Sequence, residues 1–126
     1  MTIGNIPKTV AGFEKDLRQL KSNTHIHEYL KNIPLQTLAH IFKTSEVTAE
    51  LLAPVLQAFN EHGLAPSNCK HTAEFLLTWS RTSNFEMTLM FIDDTERKIL
   101  ANIAAALKQD HKELHDKYYA AFASAM

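Results

Sequence analysis

Seven histidines, one cysteine and fourteen carboxylates are the side chains best suited to catalysis or metal binding in this 126-residue sequence. His111 and His115 are four apart, so a helix places both on one face, with Asp110 or Glu113 nearby. That is at most half a metal site. His-Lys-Glu-Leu-His lacks the Glu directly after the first His that a zinc protease uses, and no cysteine cluster completes a ligand set. Two readings stand: a small helical metal-binding protein, or solvated histidines on a polar helix, which is the one expected. His25 and His27, two apart, diverge on a helix. Cys69 has Lys70 and His71 beside it, cations able to lower a thiol pKa. Sequence neighbours do not face each other on a helix, so Cys69 is expected to be a small apolar residue. Asp93-Asp94 and the Glu46/Glu50 pair offer acid–base groups, but Asp93 and Asp94 suit a helix start. Gly4, Gly12 and Gly63 are too scattered for a phosphate-cradling loop, and no Gly-x-Ser-x-Gly elbow occurs. The expectation is no enzyme, no cofactor and no metal.

Composition narrows the class further. Leu and Ala occur 15 times each, Val three times, Gly three and Pro four. That mix favours helices and leaves too few β-branched residues and turn glycines for a sandwich or barrel. The formal charge is −1, with no global basic field for nucleic acid or an anionic membrane. The charge is uneven: residues 44–96 hold two bases, Lys70 and Arg81, against eight acids. This is either a solvated acidic surface or a face for a basic partner. One cysteine gives no internal disulfide and fits a reducing compartment. No apolar h-region opens the chain, and no apolar run is long enough to cross a membrane. The cytoplasm is the expected location, with the nucleus beside it.

The elements that must position any site follow from punctuation and spacing. Residues 1–8 are expected as an extended leader and 9–126 as one helical domain. Thr9 caps a helix carrying Val10, Phe13, Leu17 and Leu20. Ile26, Tyr29, Leu30 and Ile33 form the next stripe after Asn23-Thr24, and Leu35, Leu38, Ile41 and Phe42 follow Pro34. Leu51 to Phe59 run to Gly63 with Pro54 inside, where it removes a hydrogen bond if Thr48 is the cap. Pro66-Ser67-Asn68 opens a fifth helix bearing Phe75, Leu76 and Trp79. Ser83/Glu86, Asp93/Glu96 and Asp110/Glu113 each have capping-box spacing, marking three further helix starts. The fold expected is all-α: a single domain of about six to eight short helices in a bundle or right-handed superhelical stack.

One segment stands apart. Phe85, Leu89 and Ile92 share a helical face, while Met87 lies roughly 200° round from Phe85, with Phe91 four residues on from Met87. A helix apolar on nearly all sides is either wholly buried or keeps a face for a partner. Met87 and Met90 beside Phe91 have the flexible, polarizable character of adaptable binding surfaces, although such stripes more often belong to a core.

The runs Phe13-Glu14-Lys15-Asp16-Leu17-Arg18-Gln19-Leu20-Lys21-Ser22 and Tyr29-Leu30-Lys31-Asn32-Ile33 are two parts of a pattern completed by Asn84-Phe85-Glu86-Met87-Thr88-Leu89-Met90-Phe91-Ile92-Asp93-Asp94-Thr95-Glu96-Arg97-Lys98-Ile99. Together they resemble the C-terminal domain of the RNA polymerase II-associated protein 3 family. Related domains end cochaperones of the sperm-associated antigen 1 type and occur in a coiled-coil protein linked to ciliary dynein arms. The resemblance spans about residues 9 to 122. It implies a helical adaptor that docks on the AAA+ ATPase reptin within the reptin–pontin ring and links it, indirectly, to the heat shock protein 90 machinery during assembly of large complexes. It implies apolar contacts at Met87 and Phe91, with Met90 beside them. The family's basic contact aligns with Asn84, and Arg81 three residues earlier is the nearest base. Dynein-arm assembly or self-association on the same fold is the alternative the resemblance leaves.

Overall fold

A computed structural model describes residues 6–126. The first five positions of the expected leader lie outside the described residues; residues 6–9 are irregular and Pro7 is buried. Among the described residues the chain forms α1 (Val10–Gln19), α2 (Asn23–Lys31), α3 (Leu35–Ile41), α4 (Ala49–His62), α5 (Cys69–Ser80), α6 (Phe85–Met90), α7 (Asp94–Asp110) and α8 (Lys112–Phe122), closed by a 3-10 turn over Ala123–Ala125, with no strand. The domain is all-α, as its Leu- and Ala-rich composition requires.

Local chemistry sets several boundaries. The Thr9 hydroxyl accepts from the Gly12 amide and the Thr48 hydroxyl from the Leu51 amide, each satisfying a donor that a helix start leaves orphaned. At α7 a full capping box forms: Asp93 accepts from the Glu96 amide at 2.8 Å and Glu96 accepts from the Asp93 amide at 3.3 Å. The other two expected boxes do not form. Helix α6 is preceded by Asn84 in the left-handed region rather than by a Ser83 cap. Asp110 is the last residue of α7, and His111 at φ −137° and ψ 62° joins α7 to α8 with no side-chain cap. A carboxylate four residues before an apolar stripe ends one helix as readily as it starts the next when a single residue makes the turn.

Gly63 ends α4 with φ −99°, so its glycine character is required by space. A Cβ there would meet the Thr72 hydroxyl and lie 2.8 Å from the Phe59 carbonyl oxygen, while Thr72 donates to the Gly63 carbonyl at 3.0 Å. That contact draws α5 against the end of α4. Pro54 sits inside α4, half-buried, at the expected loss of one helical donor.

Packing runs in two connected rows. Helix α2 lies on α4, α4 on α7 and α7 on α8; α5 lies on α3, α7, α8 and α6. Their shared interior is aromatic. Phe13 of α1 meets Tyr29, Phe42 and Trp79; Trp79 meets Phe42 and, at 5.0 Å between ring centroids, Phe75; Phe75 meets Phe59. Edge contacts dominate this chain of rings, the arrangement the ring quadrupole favours. A second aromatic group, Tyr118, Phe122 and Phe85, holds α8 to α6. Tyr118 is fully buried with its hydroxyl donating to the Leu100 carbonyl at 2.9 Å, so burial holds its pKa far above the ordinary tyrosine value.

Candidate docking site

The site is assembled at the end of α5. Thr82 folds back on the helix, its amide and hydroxyl both donating to the Trp79 carbonyl. Asn84 then adopts φ 59° and ψ 21°, a left-handed conformation that asparagine tolerates better than most residues. Its side-chain amide donates to Glu46 at 2.5 Å. Four residues later the buried Thr88 hydroxyl donates to the Val47 carbonyl at 2.6 Å. Two bonds to neighbouring residues of the α3–α4 connection therefore fix where the six-residue α6 begins and how it is rotated. Neither Glu46 nor Val47 is signalled by sequence spacing, because their partners lie 38 and 41 residues away.

That rotation sorts the apolar side chains. Phe85, Leu89 and Ile92 are buried, Phe85 at 3% exposure with its ring edge-on to Phe122 at 5.9 Å. Met87 is 58% exposed, and Met90 and Phe91 are each 74% exposed. Of the two readings left by the sequence pattern, the helix is not buried all round. A large phenylalanine in water beside two methionines is unusual for a chain that packs its other six phenylalanines inside. Adjacent exposed apolar side chains of this size mark interaction surfaces.

The structure brings Asn84, Met87 and Met90 together around one hollow of about 390 Å³, with Ser80, Thr82, Phe85 and Glu86 completing its wall. Phe91 stands at the C-terminal end of α6, where its amide donates to the Thr88 carbonyl. Arg81 lies elsewhere: it is exposed and lines two other hollows, beside α3 and α8.

The histidines and the cysteine take other roles. His115 lies 3.2 Å from Asp116, while His111 makes the α7–α8 turn. Among the described residues no group of three or more His, Cys, Asp or Glu side chains is placed to hold a metal ion. Cys69 is buried, its thiol pushed up in pKa by that burial. His27 is buried between α2 and α4, its ring edge-on to Phe59 and stacked on His62 at 5.9 Å. Burial first, then the charges of Lys31, His62 and His71, lower its pKa to about 4. His71 is lowered too, chiefly by burial. The His27 and His71 rings belong to the aromatic interior, each edge-on or tilted against Phe59 or Phe75.

Comparison with known proteins gives two matches. Residues 6–97 match the family described as the potential Monad-binding region of RPAP3. The NMR structure of the C-terminal domain of the human RPAP3 protein superposes with a TM-score of 0.76 at 23% identity, covering 94% of this chain and 92% of that one. At that identity the likeness is one of fold. No curated protein matches the chain in sequence.

Proposed function

We propose, on the premise that this chain belongs to the family of the RPAP3 C-terminal region, that it is a non-enzymatic adaptor whose α6 docks on a partner protein through Met87, Met90 and Phe91. The observation that carries this reading is the sorting of α6 into a buried face and an exposed apolar face. The exposed side chains are the hot-spot kind: an aromatic anchor with flexible methionines beside it, next to a hollow able to admit a partner side chain.

The resemblance in the sequence names reptin, within the reptin–pontin ring, as the partner, and chaperone-dependent assembly of large complexes as the setting, in the cytoplasm and nucleus. Asn84 stands where the family's basic contact aligns, and its side chain is engaged with Glu46, so a partner reaching it displaces that bond. The acidic stretch 44–96 supplies charge around α6 that steers a basic partner surface during encounter. The family's description favours a second candidate partner, Monad.

Calorimetric titration of the domain with reptin, with pontin and with Monad separately tests these readings. Reptin is expected to bind wild type. Phe91→Ala should weaken it by about 2 kcal/mol, as loss of a hot-spot anchor does, and Met87→Ala less. Binding to Monad alone would replace reptin as the partner. Tight binding to any of the three that Phe91→Ala and Met87→Ala leave unchanged would remove α6 from the interface.

A further inference from the structure

The outer side of α5 carries a second surface that the α6 reading does not use. Two hollows of about 470 and 180 Å³ lie end to end along it, one toward α3 and one toward α8, sharing Leu35, Thr78 and Arg81 in their walls. Leu35 of α3, Leu77 of α5 and Leu114 of α8 form a floor, each half-buried against the core. Thr78 turns its hydroxyl inward to the Glu74 carbonyl at 2.9 Å, so it adds little polarity to the furrow. The rim is basic. Lys43, Arg81 and Lys117 stand along it, all exposed, against the single carboxylate of Glu74. None of the three cations makes an ion pair among the described residues. The sequence surrounding Arg81 is otherwise acidic, which makes this basic enclave a local departure from its own neighbourhood.

We infer that this α3–α5–α8 furrow binds an acidic peptide segment of a partner protein, one that seats an aliphatic side chain on the Leu35/Leu77/Leu114 floor and sets carboxylates against Lys43, Arg81 and Lys117. The choice of occupant rests on charge complementarity: three unpaired cations around an apolar floor repel a basic segment and gain little from a neutral one. Peptide recognition in surface grooves uses this division, with apolar anchors for affinity and flanking charge for orientation and selection. The furrow adjoins the α6 hollow only at Thr82, which lines both, and its floor and its three cations are not shared with Met87, Met90 or Phe91.

The test is selection of a displayed library of random twelve-residue peptides on the wild-type domain, followed by affinity measurement and amide chemical-shift mapping. The expected peptides carry a net negative charge and at least one Leu, Ile or Val. Their binding should weaken at least tenfold in the exposed double variant Lys43→Glu/Lys117→Glu and fall as salt rises. It should be unchanged in Phe91→Ala, with shifts centred on Leu35, Leu77 and Leu114. Selected peptides that are basic or neutral, that keep their affinity in the double variant, or that shift only α6 would overturn the assignment. So would failure to select any peptide, or concentration-dependent shifts at the furrow without peptide, which would make the occupant a second copy of the chain. Because the readout is independent of Phe91, failure here leaves the α6 reading standing, and the converse holds too.

Discussion

Helices α5 and α6 follow each other along the chain, each with large apolar side chains on more than one face, and the fold treats them in opposite ways. Helix α5 spans twelve residues in the middle of the bundle and buries Cys69, Ala73, Phe75, Leu76 and Trp79 against α3, α7 and α8. Helix α6 spans six, packs on one side only, and leaves Met87, Met90 and Phe91 in water. A helix that short is marginal by itself, so its stability comes from the burial of Phe85, Leu89 and Ile92 and from the Asn84 and Thr88 bonds to the α3–α4 connection. The interior of α5 is thus an investment in the fold, whereas the outer face of α6 is held in place by the fold and returns nothing to it until a partner arrives.

This contrast sets the scale of the expected effects. Trp79→Ala and Phe85→Ala both empty fully packed aromatic sites and should each cost about 3–5 kcal/mol, seen as a large fall in the chemical denaturation midpoint. If Phe85→Ala were mild, α6 would be a loosely attached flap, and the division of its two faces would lose meaning.

The next effect separates the two regions by pH. His27 titrates near 4 when folded and near 6.5 when unfolded, so the unfolded chain takes up a proton that the folded one refuses. Its contribution to stability is complete above pH 6.5 and declines by about 2–3 kcal/mol as the pH falls to 4. His71, lowered by burial as well, acts in the same direction. Hydrogen exchange at mild acid should therefore loosen α2, α4 and α5. His27→Phe should flatten that dependence by removing the group that has to stay neutral.

Smaller again is Thr88→Val, which keeps the shape but leaves the Val47 carbonyl without its side-chain donor. The expected cost is about 1–2 kcal/mol, with faster exchange at α6 than at α5. The smallest effect belongs to the face that binds. Phe91→Ala should change stability by less than about 0.5 kcal/mol, because the side chain is largely solvated already. A cost comparable with that of Phe85→Ala would mean that the ring is packed in solution, and the comparison would collapse.

Much of this organisation was legible in residue spacing. Phe85 and Phe91 are six apart, which on a helix sends them to different sides, and the packed bundle puts one in and one out. Thr9 and Asp93 announced helix starts because their short side chains meet local orphan amides and need no distant partner; Thr48, one of several caps that residues 44–48 offer, is the one that forms. Ser83/Glu86 and Asp110/Glu113 have the same spacing and form no box. In the first case Asn84 turns left-handed and its amide goes to Glu46; in the second, His111 alone makes the turn. Local motifs fail where a residue far along the chain, or a helix that has not yet ended, takes over the group. The Thr88 bond to Val47 and the meeting of Lys43, Arg81 and Lys117 around one furrow are tertiary facts of the same kind. Periodicity places residues on a face but does not say which neighbour that face will meet.

The ring chain around Trp79 has an optical consequence. Trp79 is the only tryptophan, it is fully buried among Phe13, Phe42 and Phe75, and its indole nitrogen has no hydrogen-bond partner among the described residues. Its fluorescence should accordingly be blue-shifted in the folded domain and move to the red only when the interior opens. A partner engaging Met87 and Phe91 touches solvent-facing atoms and leaves that indole in the dark of the core. One cuvette can therefore report unfolding through intrinsic emission while a dye on the partner reports docking, with neither signal contaminating the other.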